Sequence, residues 1–295
     1  MHNINAILVN SFTMDGKGGN PAGVVLNADN LSHAEKLKIA QAVGYSETAF
    51  VSKDDEVDFE VSFFTVTDEV DFCGHATLAT FSTLFNKSLI SAGKYKQRTK
   101  AGILSVNVEE DGRVVMEQVC PTYLQTFEYE DIAELIGLPF DILSSTQLPI
   151  EVISTGLHDV IVPVPLGYLD KLEVDNEKLS EFCEKYDLIG MHAFELNDSD
   201  SEFTASCRNF APLFGIPEES ATGSSSGALA CYLVKHVFAG EETFDFVFEQ
   251  GRAMGRASKL SASVKLNSGQ VTKVEVGGFA QQIGQLKVDL NNCVE

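Results

Sequence analysis

The sequence predicts a protein of mixed α and β structure, built from two copies of one half-domain. Three observations predict it. A strand-turn-strand segment occurs twice, an apolar helix opening at small residues follows each copy, and a β-hairpin follows each helix. An internal repeat is strong evidence for an architecture because both copies must bury their apolar faces in the same way.

The repeated segment begins at Thr48 in the first copy and at His192 in the second, an offset of 144 residues. Each copy reads as an apolar strand, an acidic turn and a second strand. The matched segments follow in one order: 48–59 with 192–203, 62–66 with 208–212, and 73–77 with 222–226.

The helix of each copy is predicted at residues 76–85 and 225–236, and both are apolar nearly all round. A helix with this pattern is buried on every side, so both are expected to be central helices. The hairpins that follow are predicted to turn at Asp111-Gly112 and Ser268-Gly269.

An amphipathic helix precedes each repeated segment. In the first copy, Ser32 and Glu35 form a capping-box pattern. In the second, apolar residues recur at helical spacing from Leu179 to Tyr186. The predicted domains are residues 1–122 and 123–295, joined just after Cys120-Pro121.

Composition and charge exclude several classes of protein. The chain has 21 Lys and Arg against 43 Asp and Glu, a net charge of −22. Such a surface repels phosphate backbones and anionic lipids, so neither nucleic acid nor membrane partners are expected. No apolar stretch reaches the ~20 residues of a membrane-spanning helix.

The six cysteines form no CxxC pair and no zinc-like spacing, so no metal site is predicted. The first ten residues read as a strand and lack the basic start of a secretory signal. Reduced thiols and a cytoplasmic location are therefore expected.

The two central helix starts form a candidate anion site. Backbone N–H groups and positive dipole ends at such starts favour a carboxylate. Gly74 and Gly223 would let a ligand approach the backbone, and Ser224 and Ser225 could donate hydrogen bonds. Ordinary capping by Ser or Thr is the alternative interpretation.

Three titratable residues lie near these starts. His75 falls in a first helical turn, where the positive helix end favours a neutral ring suited to proton transfer. Glu47 begins an apolar strand, and a partly buried Glu could act as general base and then acid. Each could instead be structural or solvated, and Glu219, close before Gly223, is equally ambiguous.

Cys73 and Ser220 precede the two helix-opening glycines, an arrangement that would suit a two-base racemase. Two alternatives remain open. Cys73 could be a small buried hydrophobe, and a serine is a poor base without an activator.

Six short motifs resemble the phenazine-biosynthesis isomerases of the PhzF-like family, which have a diaminopimelate-epimerase-like fold. They cover essentially the whole chain in family order: Gly18-Gly-Asn-Pro-Ala-Gly-Val24, Ser46-Glu-Thr-Ala-Phe50, Cys73-Gly-His-Ala-Thr-Leu-Ala79, Arg208-Asn-Phe-Ala-Pro212, Ala221-Thr-Gly-Ser224, and Glu249-Gln-Gly251 with Gly255-Arg256.

The resemblance implies an α+β fold of two pseudo-symmetric β-roll or barrel halves. Each half is wrapped around a central helix, with the active site between the halves. It further implies a homodimer, no metal and no organic cofactor. Glu47 is implied as the acid/base, assisted by His75, Glu219 and Ser224. The residues expected to bind the substrate are Asn20, Gly74, Gly223, Ser224 and Ser225.

The chain departs from the family pattern in its second half, where Glu218-Glu219-Ser220 stands in place of the usual Glu-Asp-Pro. The change from Asp to Glu lengthens the arm at Glu219 by one methylene. A symmetric two-thiol mechanism is disfavoured because Ser220 stands where related epimerases carry a second Cys.

The expected function is a cofactor-independent isomerase of a small, cyclic, carboxylate-bearing metabolite. Two alternatives stay open: a racemase, epimerase or dehydratase of a cyclic amino acid that uses Cys73 with Ser220 or Glu219, and a non-catalytic small-molecule binding protein.

Overall fold

A computed structural model of the chain describes residues 3–290, which form two compact units. Unit 1 comprises residues 3–117 and 277–290, and unit 2 comprises residues 118–276. Within the described residues, no helix is long and apolar enough to cross a membrane. The cysteines of this part of the chain are all free, and Cys293 lies outside it.

Unit 1 packs strands around one central helix. Its elements are β1 (Asn3–Ser11), β2 (Asn20–Val25), α1 (His33–Val43), β3 (Glu47–Ser52), β4 (Phe59–Phe64), β5 (Glu69–Val70), α2 (Gly74–Asn86), β6 (Gly93–Thr99), β7 (Gly102–Val108) and β8 (Val114–Gln118). Pairing is antiparallel for β1–β2, β3–β4, β4–β5, β6–β7 and β7–β8, and parallel for β2–β3 and β4–β6.

Unit 2 repeats this order. Its elements are β9 (Thr122–Phe127), α3 (Tyr129–Ile136), α4 (Phe140–Ser144), β10 (Ile150–Ser154), β11 (His158–Pro163), α5 (Asn176–Tyr186), β12 (Gly190–Leu196), β13 (Ala205–Ala211), β14 (Ile216–Glu219), α6 (Gly223–His236), β15 (Thr243–Gln250), β16 (Ser258–Asn267) and β17 (Gln270–Gly278). Pairing is antiparallel for β10–β11, β12–β13, β13–β14 and β15–β16, and parallel for β11–β12 and β13–β15.

Strand for strand, these orientations match those of unit 1, so the predicted duplication and fold class are confirmed. Both central helices are confirmed as well, with every residue from His75 to Leu84 buried in α2 and every residue from Ser225 to Leu233 buried in α6. The capping box of α1 is also present, with Ser32 and Glu35 bonded reciprocally.

The offset of 144 residues, which aligns 48–59 with 192–203, is wrong by one residue at the central strand. Ala49 on β3 packs with Ala76 and Ala79 of α2, whereas Ala193 on β12 packs with α3 and α5 on the other face. Because side chains alternate along a strand, a shift of one residue exchanges the two faces. The structural counterpart of Glu47, the first residue of β3, is therefore Gly190, the first residue of β12.

The two units of the structure also differ from the predicted division into residues 1–122 and 123–295. The last strand, β18 (Ala280–Asp289), pairs antiparallel with β1, so residues 277–290 belong to unit 1 and not to the second half. In unit 2, β9 pairs with β10 in the same way. Both strands satisfy backbone groups that an edge strand would otherwise leave open.

Candidate active site

The start of α2 holds three of the predicted residues in fixed positions. Cys73 is the N-cap with an extended backbone, Gly74 is the first helical residue, and His75 is the second. The Ser11 hydroxyl donates a hydrogen bond of 2.6 Å to the backbone carbonyl of His75. Cys73 and His75 are both buried, so β1 and the sheet hold this helix start rigidly.

Glu47 reaches the same place from β3. By strand alternation it shares the face of Ala49, the face that packs against α2. Its Oε2 lies 3.2 Å from Nε2 of His75, and only 16% of its side chain is exposed. Oε2 is buried, and apart from the contact with His75 it has no hydrogen-bond partner among residues 3–290.

The His75 ring lies between a carboxylate and a thiol. Nδ1 is 3.4 Å from Sγ of Cys73, and Nε2 faces Glu47, with the Ser46 hydroxyl 3.5 Å away. The three side chains place one ligand-type atom each within 4.8 Å of one another. A neutral ring protonated at Nε2 can accept a hydrogen bond from the thiol at Nδ1 and direct its Nε2 proton towards the carboxylate. The cluster can therefore store and pass on a proton.

Neither central helix is capped by the side chain of its N-cap residue, Cys73 in α2 and Thr222 in α6. The alternative interpretation of ordinary capping therefore does not account for these two helix starts. At Gly74, an added Cβ would find its nearest neighbour, a ring carbon of Phe72, 4.0 Å away. A methyl group would therefore fit at Gly74 in ordinary van der Waals contact.

Replacing Gly74 with Ala tests whether a ligand uses this space. The new methyl group fits, and Ala is the better helix former, so the free energy of unfolding should stay the same or rise by up to about 1 kcal/mol. If a substrate carboxylate approaches the backbone here, KM should rise about tenfold. Urea unfolding and steady-state kinetics measure the two effects, and an unchanged KM would contradict the assignment.

In unit 2, Glu219 belongs to a network around the start of α6. Its Oε2 accepts a 2.7 Å hydrogen bond from the Thr222 hydroxyl. Gln250, fully buried, accepts from the Thr222 N–H and donates to the Glu219 carbonyl at 2.7 Å. The Glu219 side chain, one methylene longer than Asp, thus binds Thr222 within the same turn. Glu218 is bound elsewhere, by Arg208.

Gly251 lets the backbone of residues 219–222 pack closely against its own Cα. Its φ is +85°, and an added Cβ would lie 2.7 Å from the carbonyl oxygens of Ser220 and Arg256. Ser220 is itself buried. The motif Glu249-Gln-Gly251 therefore positions residues 219–222, a role that sequence reasoning did not assign to Gln250 or Gly251.

Gly251→Ala is expected to lower the free energy of unfolding by about 2 kcal/mol or more, and to lower activity, because both strain and a backbone clash follow. Gly255→Ala is the matched control: its φ is +68°, but nothing lies within 4 Å of the added Cβ. The control should lose only about 1 kcal/mol and keep its activity. Equal losses in the two variants would show that strain alone, and not the contact with Ser220, matters.

Three further predicted side chains, those of Ser225, Ser224 and Asn20, differ in burial and in their partners. Ser225 is fully buried and donates a 2.6 Å hydrogen bond to Oδ2 of Asp159, which favours a positioning role for its hydroxyl. Ser224 is partly exposed, and its carbonyl accepts from Thr155. Asn20 is buried at the first position of β2, paired in register with Ser11.

Asp159 is a buried carboxyl that sequence reasoning missed. It lies on β11 opposite Gly190, beneath the start of α6. Burial raises the pKa of Asp159 to about 6, the negative charge of Glu219 raises it as well, and the hydrogen bond from Ser225 opposes both. Each unit therefore has a carboxyl near the start of its central helix, on β3 in unit 1 and on β11 in unit 2.

Comparison with solved structures defines the class of fold. The chain is similar to a hydroxyproline epimerase from Agrobacterium vitis, with a TM-score of 0.63 over 98% of this chain and 91% of that one, at 11% identity. It is more similar to a PhzF-family phenazine biosynthesis protein from Bacillus anthracis, with a TM-score of 0.90, 30% identity, and coverage of 98% and 100%. Both likenesses support the diaminopimelate-epimerase-like fold.

The chain belongs to the PhzC-PhzF family of phenazine biosynthesis-like proteins, whose family model matches residues 9–284. It is 33% identical to an uncharacterized isomerase of Clostridium acetobutylicum, over 97% of this chain and 98% of the relative. It is 29% identical to the trans-2,3-dihydro-3-hydroxyanthranilate isomerase of Pseudomonas chlororaphis, over 95% and 97%. The family places the chain among the isomerase enzymes.

Proposed function

We propose that the chain is a cofactor-independent isomerase that moves a proton between two carbons of a small, cyclic, carboxylate-bearing substrate. Glu47 is the acid/base in this proposal. The observation that carries it is the buried Oε2 of Glu47, which lies 3.2 Å from Nε2 of His75 and has no other hydrogen-bond partner in the described part of the chain. A carboxylate in this state can accept a proton from carbon and then act as the acid.

The reaction conserves atoms and electrons. The Glu47 carboxylate takes a proton from a saturated ring carbon, and the C–H electron pair passes into the adjoining conjugated system of the substrate. The carboxylic acid formed exchanges its proton with solvent and returns a proton to a different carbon, and the double bond moves. One group serves as base and then as acid, which is general acid–base catalysis without a net change in the enzyme.

His75 and the start of α2 stabilise the intermediate state. Electron density moves towards the substrate carboxylate, and the positive end of α2, which begins at the small residue Gly74, favours that anion. His75 holds the Glu47 side chain near the reacting carbon. The named roles of Asn20, and of Glu219, Gly223, Ser224 and Ser225 in unit 2, remain predictions.

Proton transfer through carbon is tested in heavy water. Trans-2,3-dihydro-3-hydroxyanthranilate is the first substrate to try, because a relative 29% identical over 95% of the chain carries its name. Further cyclic unsaturated carboxylates should follow. The expected result is product with deuterium on carbon. Turnover that never places deuterium on carbon would contradict the proposal.

A second candidate rests on the distance of 3.4 Å between Sγ of Cys73 and Nδ1 of His75. That contact could activate the thiol as a base for racemising, epimerising or dehydrating a cyclic amino acid. It predicts that Cys73→Ala abolishes activity while Glu47→Gln is tolerated. Assays with cyclic amino acids on both variants separate the two candidates. A cytoplasmic location remains a prediction from the sequence, and a homodimer remains an expectation from the family resemblance.

A further inference from the structure

Two arginine side chains of unit 2 flank the turn that carries Glu219. Arg208, on β13, binds both carboxylate oxygens of Glu218, with Nε 2.9 Å from Oε1 and Nη2 2.8 Å from Oε2. Its Nη1 donates to the backbone carbonyls of Leu169 and Leu172, at 3.3 and 3.1 Å. The residue before Glu219 is therefore tied to the loop that follows β11.

Arg252 holds the other side of the turn through a larger network. Its Nε lies 3.0 Å from Oδ1 of Asp170, and its Nη2 lies 2.6 Å from Oε1 of Glu195. Its Nη1 donates to Oε2 of Glu249 at 3.1 Å and to the Ser206 hydroxyl at 2.8 Å. Glu195 and Glu249 are buried, and a buried carboxylate needs a charged or hydrogen-bonding partner. One guanidinium therefore joins the loop after β11 to β12, β13 and β15.

The network of Arg252 continues to Glu219 through Gln250. The Gln250 amide donates to the carbonyl of Glu219 at 2.7 Å and to the Thr222 hydroxyl at 3.1 Å. That hydroxyl in turn donates to Oε2 of Glu219. The position of the Glu219 carboxylate therefore depends on where Arg252 holds residues 249–251.

The strand that carries Glu219 is short and irregular. β14 has four residues, and its pairing with β13 shifts register between Asn209 and Ala211. Because few regular backbone bonds fix this segment, the side-chain contacts on its two sides decide where Glu219 lies. A catalytic group that is displaced by about 1 Å can lower a rate about 100-fold.

We propose that Arg208 and Arg252 are positioning residues of the isomerase, and that they affect the reaction by fixing the Glu219 carboxylate. This inference rests on the proposed function, because it assigns Glu219 a part in the same reaction. Lysine is a poor replacement for either arginine, since an ammonium is a point charge whereas a guanidinium presents its N–H donors in a rigid plane. Arg208 binds Glu218 with two nitrogens, and Arg252 donates from Nε, Nη1 and Nη2.

The experiment is a double-mutant cycle with the whole chain and trans-2,3-dihydro-3-hydroxyanthranilate. Arg252→Lys keeps the charge beside the buried carboxylates, so it should fold, and circular dichroism checks this. In the parent background it should lower kcat/KM about tenfold. In a Glu219→Gln background the same change should lower kcat/KM less than about twofold, because residues that act through one another are not additive. Arg208→Lys should behave in the same way.

A second readout does not need turnover. In protein labelled with ¹³C at its glutamate carboxyl groups, the Glu219 resonance is assigned as the one missing from Glu219→Gln. It should shift in Arg252→Lys and in Arg208→Lys. If Glu219→Gln has no measurable rate, Glu219→Asp takes its place as the background of the cycle.

Lys259→Gln is the matched control. Lys259 is an exposed cation of the same unit, and its ion pair with Glu202 lies on the surface. Such a pair contributes little to stability, so this change should leave kcat/KM and the Glu219 resonance as they are.

A tenfold loss of kcat/KM in both backgrounds would show that the arginines act by another route and would overturn the proposal. So would an unshifted Glu219 resonance, an unchanged rate in the two Lys variants, or a Glu219→Gln protein with full rate. Failure of the proposed function appears separately, as turnover without deuterium on product carbon, and leaves the resonance measurement unaffected.

Discussion

Glu47→Gln is expected to lower kcat by about 10²–10⁴-fold and to abolish deuterium incorporation, with the fold unchanged. Gln has the shape of Glu and keeps an oxygen near His75, but its amide cannot accept a proton from carbon. Because the Glu47 side chain is largely buried, bulk water is a poor substitute for the missing base. Steady-state kinetics in heavy water measure the loss.

Glu60→Gln is the matched control. Glu60 lies on β4, the strand paired with β3, and is exposed. The same chemical change there should leave kcat and KM as they are. A Glu47→Gln protein that retains full rate, while Cys73→Ala is inactive, would transfer the acid/base role to the thiol.

Asp159→Asn is expected to change the pH dependence of stability. The pKa of Asp159 is about 6 in the folded protein against 3.8 for an ordinary Asp, so folding favours the protonated form. This contribution is fully present below about pH 4 and is lost as pH rises through about 6. Relative to the parent, the Asn variant should gain about 2.4 kcal/mol in free energy of unfolding between pH 4 and pH 8.

Urea unfolding of both proteins across this range measures the difference, and titration of the other groups cancels in the comparison. Ser225→Ala is a control of opposite sign. The hydroxyl of Ser225 stabilises the charged form of Asp159, so its removal should make the fall of stability with pH steeper. Parallel pH curves for Asp159→Asn and the parent would show that the carboxyl does not titrate in this range.

The repeat, the two central helices and the capping box of α1 could be predicted because each is a local pattern. Apolar residues all round α2 and α6 signal complete burial, and the spacing of Ser32 and Glu35 signals a helix start. Such patterns do not determine which face of a strand packs against the central helix. Alternation has a period of two, and several small apolar residues allow the strands to be aligned in either register.

The candidate site likewise combines residues that the local sequence places with residues that only tertiary packing brings together. Cys73 and His75 are close in sequence, and their place at a helix start could be read directly. Glu47 reaches His75 only because β3 packs against α2. The Ser225 hydroxyl is bound to Asp159 only because β11 passes beneath the start of α6. Motifs marked Gln250 and Gly251 as noteworthy, but only their contacts show that they hold the turn at Glu219.

The amino-acid sequence by itself determined the duplicated fold, the buried helices and the chemical inventory at their starts, because these follow from local periodicity and spacing. The tertiary structure alone decided three further points. It paired β18 with β1, turned Glu47 towards α2, and buried Asp159 beneath α6. The physical reason is that each depends on contacts between segments distant in the chain, where the choice of strand face and partner is made by packing the whole core.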